Sequence, residues 1–211
     1  MKKNKISKNW LIKKHKDQFF KQSKILGYSS RSAFKLIEMN QKFRFLNNNT
    51  YLLELGCSRG GWTQVAAKKI TKGKILAVDI KPMEKVNNVN FLKGDLFDSE
   101  IYEKICVYFD KKIDVVISDM AANTSGNKNL DSYKTGELCL KGMDLAQKIL
   151  NRDGVFLSKL FMGSIFVEIH KKPNKYFKKV VKYKPLSSRK ESKEIYIYCR
   201  GVSKSFNLFN V

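Results

Sequence analysis

From Tyr51 onward the apolar residues of this chain fall into short runs separated by helical patterns, and that alternation restricts the fold more than any other feature. The strand candidates are "YLLEL" (51–55), "KILAVDI" (74–80), "VNFL" (89–92), "IDVVIS" (113–118), "GVFLSKLF" (154–161), "VVKYK" (180–184) and "EIYIYC" (194–199). Several are apolar on both faces, as strands covered by helices on both sides must be. Between them, Ile101, Ile105, Tyr108 and Phe109 form one helical stripe. Leu138, Leu145, Ala146 and Ile149 form another, ended by the turn "NRDG". Strand and helix in alternation specify an α/β sheet, mostly parallel. The last two candidates are only nine residues apart, too few for a parallel crossover, so they pair as an antiparallel hairpin. The expected architecture is a mostly parallel seven-stranded sheet with one antiparallel strand and helices on both faces. Ahead of it, "YSSRSAFKLIEMNQKF" puts Ala33, Leu36, Ile37, Met39 and Phe43 on one helical face, with Lys35 at its border.

Three glycines, Gly56, Gly60 and Gly61, follow the first strand in "GCSRGGW". The pattern is G-x-x-x-G-G, not the G-x-G-x-x-G of a dinucleotide site, and no Gly-Lys-Ser/Thr makes it a P-loop. The loop nevertheless stands at the carboxyl end of a strand, where open α/β sheets bind ligands. Two acids occupy matching places, Asp79 at the end of "ILAVD" and Asp95 at the end of "FLKGD". An acid after the second strand accepts from both hydroxyls of a ribose, and one after the third meets an adenine amino group. Together they describe an adenosine site without a phosphate clamp, which S-adenosyl-L-methionine satisfies.

The same topology gathers charged residues beside that site. Asp119 closes one parallel strand and Lys159 lies at the end of the next, while Glu194 begins a strand that runs the other way. All three arrive at one edge of the sheet.

Charge and composition set the remaining bounds. The chain carries a formal charge of +23. Basic residues outnumber acidic ones 13 to 2 over residues 1–50, 16 to 14 over 51–158 and 13 to 3 over 159–211. A uniform mutational bias toward Lys would not spare the middle; two basic ends suit a polyanion, and nucleic acid is the expected partner. No apolar run approaches the roughly 18 residues of a membrane helix. The start, "MKKNKISKNWLIKKHKDQFF", has neither a secretory apolar core nor the arginines of a mitochondrial presequence. Cys57, Cys106, Cys139 and Cys199 show no paired spacing and there are only two histidines, so no metal site is expected and the thiols read as reduced and cytoplasmic.

With these residues in place the chain resembles the FtsJ/RrmJ-type ribose 2′-O-methyltransferases, which share a Lys-Asp-Lys-Glu tetrad. "SRSAFKL" is similar to the family's first-lysine motif and supplies Lys35. "SDMAANTSG" supplies Asp119, "SKLFMG" supplies Lys159 and "SSRKESKEIYIY" supplies Glu194. The resemblance spans nearly the whole chain, including the basic start with Trp10 and Leu11. It implies a Rossmann-like methyltransferase fold using S-adenosyl-L-methionine, with Gly60, Trp62, Asp79, Asp95 and Asp119 lining the cofactor site. It further implies a uridine in the A-loop of 23S rRNA as target, methylated on the assembled large ribosomal subunit, and a cytoplasmic monomer that needs no metal. The expected organisation is a basic amino-terminal arm over residues 1–27 and a single methyltransferase domain over 28–211. Two motifs depart from the family: Ala-Pro-Gly-Gly is here "SRGG", with Ser58 and Arg59, and Met-Ala-Pro-Asn is "MAAN", with Ala122. Loss of both prolines is expected to loosen two cofactor loops.

The chemistry fits a weakly acidic hydroxyl that must be aligned with a methyl donor. Positioning alone contributes up to roughly 7–11 kcal/mol in ideal cases. Two roles fit Lys159: a general base, if neutral, or a cation that holds the hydroxyl while water takes its proton. A non-catalytic RNA-binding protein is the main competing reading, and the intact tetrad argues against it.

Overall fold

The computed structural model describes residues 17–122, 125–162, 169 and 171–203. Residues 1–16 of the expected basic arm, with Trp10 and Leu11, lie outside the described residues, as do Asn123 and Gly163. The chain begins with helices α1 (Gln18–Ile25) and α2 (Ala33–Phe43). It continues through β1 (Tyr51–Leu55), α3 (Gly61–Lys69), β2 (Lys74–Asp79), β3 (Asn90–Lys93), α4 (Ser99–Phe109) and β4 (Ile113–Ser118). Helix α5 (Lys128–Ile149), β5 (Leu150–Phe161), the short α6 (Pro173–Tyr176), β6 (Phe177–Tyr183) and β7 (Glu194–Val202) complete it. The strands form one seven-stranded sheet in the order β3-β2-β1-β4-β5-β7-β6. Every pairing is parallel except the two made by β7, which runs antiparallel to both β5 and β6.

Strand alternation divides the core into two layers. Leu53, Leu76, Val116, Phe156 and Ile197 face α4 and α5, packing on Ile101, Ile105, Phe109, Met143 and Ala146. Leu52, Ile75, Val115, Leu157, Tyr196 and Tyr198 face the other way, onto Ala33, Leu36 and Met39 of α2 and Trp62, Val65 and Ala66 of α3. The α2 stripe is as the sequence implies: Ala33, Leu36 and Met39 are fully buried, and Phe43 stacks on Tyr198 at 4.1 Å between ring centroids. The helix stops at Arg44, whose φ of +50° is left-handed. Asn40 Oδ1 then accepts the backbone N–H groups of Phe45 and Leu46 at 3.1 and 2.9 Å.

Several strand limits differ from the sequence reading. β6 starts three residues earlier, at Phe177, and β7 runs on to Val202, because the two strands pair from Phe177↔Val202 to Tyr183↔Tyr196. The largest difference is at "NRDG", which does not separate α5 from β5. Leu150 already pairs with Ile113, and the register then jumps so that Val115 faces Val155. The extra residues form a bulge opposite Asp114. Its carboxylate accepts from Asn151 Nδ2 at 2.7 Å and from the Tyr51 N–H at 2.8 Å. Asn151 Oδ1 in turn accepts the Asp153 N–H at 3.1 Å. The turn chemistry expected of those residues is present, but inside the strand.

None of the described helices is long and apolar enough to cross a membrane. Since Leu36 anchors α2 to the sheet from a fully buried position, Leu36→Ala is expected to destabilise the protein by about 2–5 kcal/mol. Urea unfolding followed by circular dichroism measures it.

Candidate active site

The carboxyl ends of β1, β2, β3 and β4 open onto a cleft of about 740 Å³. Two backbone contacts bring its walls together: Gly56 N–H donates to Val78 O at 2.8 Å, and Asp119 N–H to Leu55 O at 3.1 Å. A Cβ on Gly56 would stand 2.9 Å from the backbone of Met120, so only glycine lets the β1 and β4 ends approach this closely. Gly60 has a left-handed φ of +80° and is the N-cap of α3. It shapes the loop from behind, whereas Cys57, Ser58, Arg59 and Gly61 line the cleft.

Of the other expected cofactor residues, Trp62, Asp79, Asp95 and Asp119 all line this cleft. The Trp62 indole is buried and donates through Nε1 to Ser32 O at 2.9 Å. The Asp79 oxygens accept the N–H groups of Ser58 at 2.6 Å and Lys81 at 2.8 Å, which fixes the carboxylate at the rim. Four lone-pair sites per carboxylate leave capacity for a diol. Asp95 accepts the Phe97 N–H at 3.0 Å. The exposed side chains of Ile80 and Phe97 offer apolar surface between these acids.

Strand parity explains how the charged residues meet. Asp119 follows β4 two residues after Ile117, Lys159 follows Leu157 by two in β5, and Glu194 precedes Tyr196 by two in β7. Ile117, Leu157 and Tyr196 all belong to the layer beneath α2 and α3, so all three charged residues emerge on the face that α2 covers, where Lys35 is waiting. Lys159 Nζ donates to the Asp119 backbone oxygen at 2.5 Å and to Asp119 Oδ1 at 2.9 Å. Lys35 Nζ pairs with Glu194 Oε1 at 2.5 Å. Lys159 lines the cleft. The Lys35–Glu194 pair stands behind it, with Lys35 Nζ 5.8 Å from the centre of the Tyr196 ring.

Tyr196 links the two pairs, and the sequence reading did not single it out. It lies directly across from Lys159 in the β5–β7 register, and its hydroxyl donates to the same Asp119 Oδ1 at 3.1 Å. Burial and then the charges of Asp119 and Glu194 push its phenol well above the ordinary value, so it remains a donor. Burial pushes the Asp119 carboxyl up. The charges of Lys159 and Lys35 and the hydrogen bonds from Lys159 and Tyr196 outweigh that and hold it below 3.8. The available signal was position: Tyr196 is two residues from Glu194 and shares its face.

Glu54 is the second omission. It is the acid inside the apolar run "YLLEL", fully buried on the cleft wall. Its Oε2 accepts from Thr63 Oγ1 at 2.7 Å, while Oε1 is buried without a hydrogen-bond partner. Burial, reinforced by Asp119 and Asp79 and opposed by the Thr63 hydrogen bond, pushes its pKa up to about 8. An unpartnered acceptor in a cleft rimmed by acids fits a ligand that brings its own cationic donor, as an amino-acid ammonium does. Among the described residues no group of His, Cys, Asp and Glu is arranged to hold a metal ion.

Comparison with known proteins agrees with this architecture. The model of the FtsJ-like methyltransferase family matches residues 28–202. The chain is 46% identical over 200 residues to a protein of Pelagibacter ubique named ribosomal RNA large subunit methyltransferase E, covering 95% of this chain and 98% of that one. A protein of the same name from Acinetobacter baylyi is 37% identical over 204 residues, covering 96% and 94%. Among solved structures, one assigned as a ribosomal RNA methyltransferase of Plasmodium falciparum superposes with a TM-score of 0.75 at 32% identity, covering 83% of this chain and 98% of that one. A Streptococcus mutans protein assigned as a methyltransferase and bound to SAH superposes at 0.52 with 15% identity, covering 78% and 96%, and shares the Rossmann-like fold.

Glu54 generates a pH prediction. Its native pKa of about 8 exceeds the ordinary 4.5, so between those values the folded protein holds a proton that the unfolded chain releases. Its contribution is therefore present in full below about pH 4.5 and lost as pH rises through about 8. Asp119 acts oppositely and only at lower pH, its contribution being lost as pH falls below 3.8. Thermal unfolding of the cofactor-free protein from pH 5 to 8.5 is expected to show Tm falling more steeply in the wild type than in Glu54→Gln. Parallel curves would mean that Glu54 ionises normally.

Proposed function

Because the chain belongs to the FtsJ-like methyltransferase family, we propose that it transfers a methyl group from S-adenosyl-L-methionine to the ribose 2′-OH of a uridine in the A-loop of 23S rRNA. The substrate is the assembled large ribosomal subunit, met in the cytoplasm by a monomeric enzyme without a metal. The observation that carries this reading is the placement of Lys159. It reaches the cleft wall from one side and, through Asp119 and Tyr196, the Lys35–Glu194 pair from the other.

The cofactor supplies an electrophilic methyl group on a sulfonium. Asp79 would receive its ribose hydroxyls, Asp95 its adenine amino group and Glu54 its ammonium, with Ile80 and Phe97 offering apolar surface to the base. Gly60 and Trp62 form the loop and floor that keep these groups in place, and Asp119 closes the site toward the tetrad. On the RNA side, an ammonium has three donors. Lys159 spends two of them on Asp119, and the third is left for the attacking hydroxyl oxygen. This favours the positioning role: Lys159 holds the oxygen in line and stabilises the negative charge that develops on it, while water removes the proton. Asp119, with its carboxylate kept charged, locks Lys159 in one rotamer. Lys35 and Glu194 form a second cation and anion next to the first, so the tetrad is neutral and accepts an uncharged hydroxyl without a net field. Arg59, Lys81 and Lys134 at the cleft supply cations for the phosphates flanking the target. The names of the relatives and the basic ends of the chain support a large RNA, and the family resemblance supports the uridine and the loop.

The experiment incubates purified protein and methyl-labelled cofactor with under-methylated large subunits, free rRNA and tRNA, and locates the label after digestion. The expected label is on the ribose of one A-loop uridine, formed best on subunits. Label on a base, or preference for tRNA, overturns the substrate. Lys159→Ala is expected to lower kcat by roughly 10²–10³-fold while calorimetry shows cofactor still binding. Asp79→Ala is expected to weaken cofactor binding roughly 10- to 100-fold, as loss of a charged acceptor for the diol implies.

A further inference from the structure

Glu38 lies one turn after Lys35 on α2, on the same side of the helix, and its carboxylate is saturated by donors from the far end of the chain. Oε1 accepts from Tyr183 Oη at 2.6 Å and from the Leu186 N–H at 2.7 Å. Oε2 accepts from the Ser187 N–H at 3.1 Å and from Ser187 Oγ at 3.0 Å. Burial works against the charged form, and these four hydrogen bonds more than offset it, so the carboxyl is held below its ordinary 4.5. One side chain thus clamps the start of the loop between β6 and β7.

The next residue shows what the clamp is for. Ser188 Oγ donates at 3.0 Å to Glu194 Oε1, the same oxygen that pairs with Lys35 Nζ. A closed ring results, running from Lys35 along the helix to Glu38, across to Ser187, on to Ser188 and Glu194, and back to Lys35. Arg31 donates to Ser187 O from the same side. Lys184 Nζ, donating to Ser192 O at 2.7 Å and Lys190 O at 3.2 Å, holds the rest of the loop together.

We propose that Glu38 is a positioning residue for methyl transfer, setting the geometry of the Lys35–Glu194 pair through Ser187 and Ser188. The inference rests on the functional reading above. Without the carboxylate, Ser188 loses its anchor, Glu194 loses a fixed donor, and Lys35 faces a counter-ion free to turn. A displacement of about 1 Å near reacting groups costs up to about 10²-fold in rate. None of Glu38, Ser187, Ser188 and Glu194 lines the cofactor cleft; the cleft residue that touches the ring, Arg31, is held independently by its ion pair with Asp17, so cofactor binding is expected to be unaffected.

The test measures kcat, KM for the cofactor and Tm for wild type, Glu38→Ala, Glu38→Gln, Ser188→Ala, Glu194→Ala and the double variant Glu38→Ala/Glu194→Ala. The expected result is a fall in kcat of roughly 10- to 100-fold for Glu38→Ala with KM for the cofactor unchanged. Glu38→Gln falls in between, because its amide nitrogen meets a donor. The double variant is no slower than Glu194→Ala alone, whereas a merely structural role would lower it further. Unchanged kcat in Glu38→Ala, or additive losses in the double variant, overturns the proposal. Should Glu38→Ala not fold, Glu38→Gln and Ser188→Ala decide by the same kcat-against-KM split. Failure of the wild type to methylate any RNA overturns the functional reading instead. The positioning claim is then decided by a crystal structure of Glu38→Gln: a displaced Glu194 supports it, and an unmoved Lys35–Glu194 pair overturns it.

Discussion

A strand buried on both faces sends successive side chains into different layers, and almost everything in this protein follows from that constraint. In β1, β4, β5 and β7 one parity feeds the layer against α4 and α5, and the other feeds the layer against α2 and α3. At the carboxyl edge the second parity continues past the core and carries Asp119 and Lys159, joined by the first position of β7, Glu194. The charged cluster is the carboxyl-edge end of the layer that α2 seals, which is why a lysine from α2 completes it. A one-residue slip of β5 would bury a cation among Phe156 and Leu160 and turn apolar surface to the cleft. Core and cluster therefore enforce a single register together.

Burying so many charges is costly unless each has a partner. Here the cost is contained by sharing acceptors. Asp119 Oδ1 receives both Lys159 and Tyr196, and Glu194 Oε1 receives both Lys35 and Ser188. Glu54 takes the other course: with one oxygen unpartnered, it gives up its charge across much of the neutral range. Two acids on adjacent strands thus differ in ionisation because one faces two lysines and the other faces a threonine.

How far the sequence could be read depended on whether a feature was periodic. All seven strands and the α2 stripe were legible, as apolar alternation records them directly. The gathering of Asp119, Lys159 and Glu194 was also legible, because strand direction alone decides which ends share an edge. The bulge at Asn151 was not. A turn sequence looks the same whether it ends a helix or loops out of a strand, and only the pairing of Leu150 with Ile113 distinguishes them. Gly60 is not among the residues that line the cleft, since composition does not report which face of a tight turn points inward. Glu38 and Tyr183 are 145 positions apart, and no local pattern marks such a pair. Glu54 had a signal, a lone acid in an apolar strand, but it needed the layer assignment to become meaningful.

The place of β7 has a consequence for the order in which a growing chain can organise itself. β6 pairs with β7 and has no other neighbour in the sheet. It cannot dock on β5 when it is synthesised and must wait for the strand that follows it. The walls of the cleft, by contrast, come from the turn before α2, the ends of β1 to β4, the early part of α5 and Lys159 of β5, all of which precede β6 in the chain. Local and early contacts close first because long loops are entropically slow to shut. The residues that line the cleft all precede, in chain order, the strand that brings Glu194 to the cluster beside it. Lys35, made early, is matched with Glu194 only when the last strand slides between β5 and β6, so the step that finishes the sheet also completes the charged cluster.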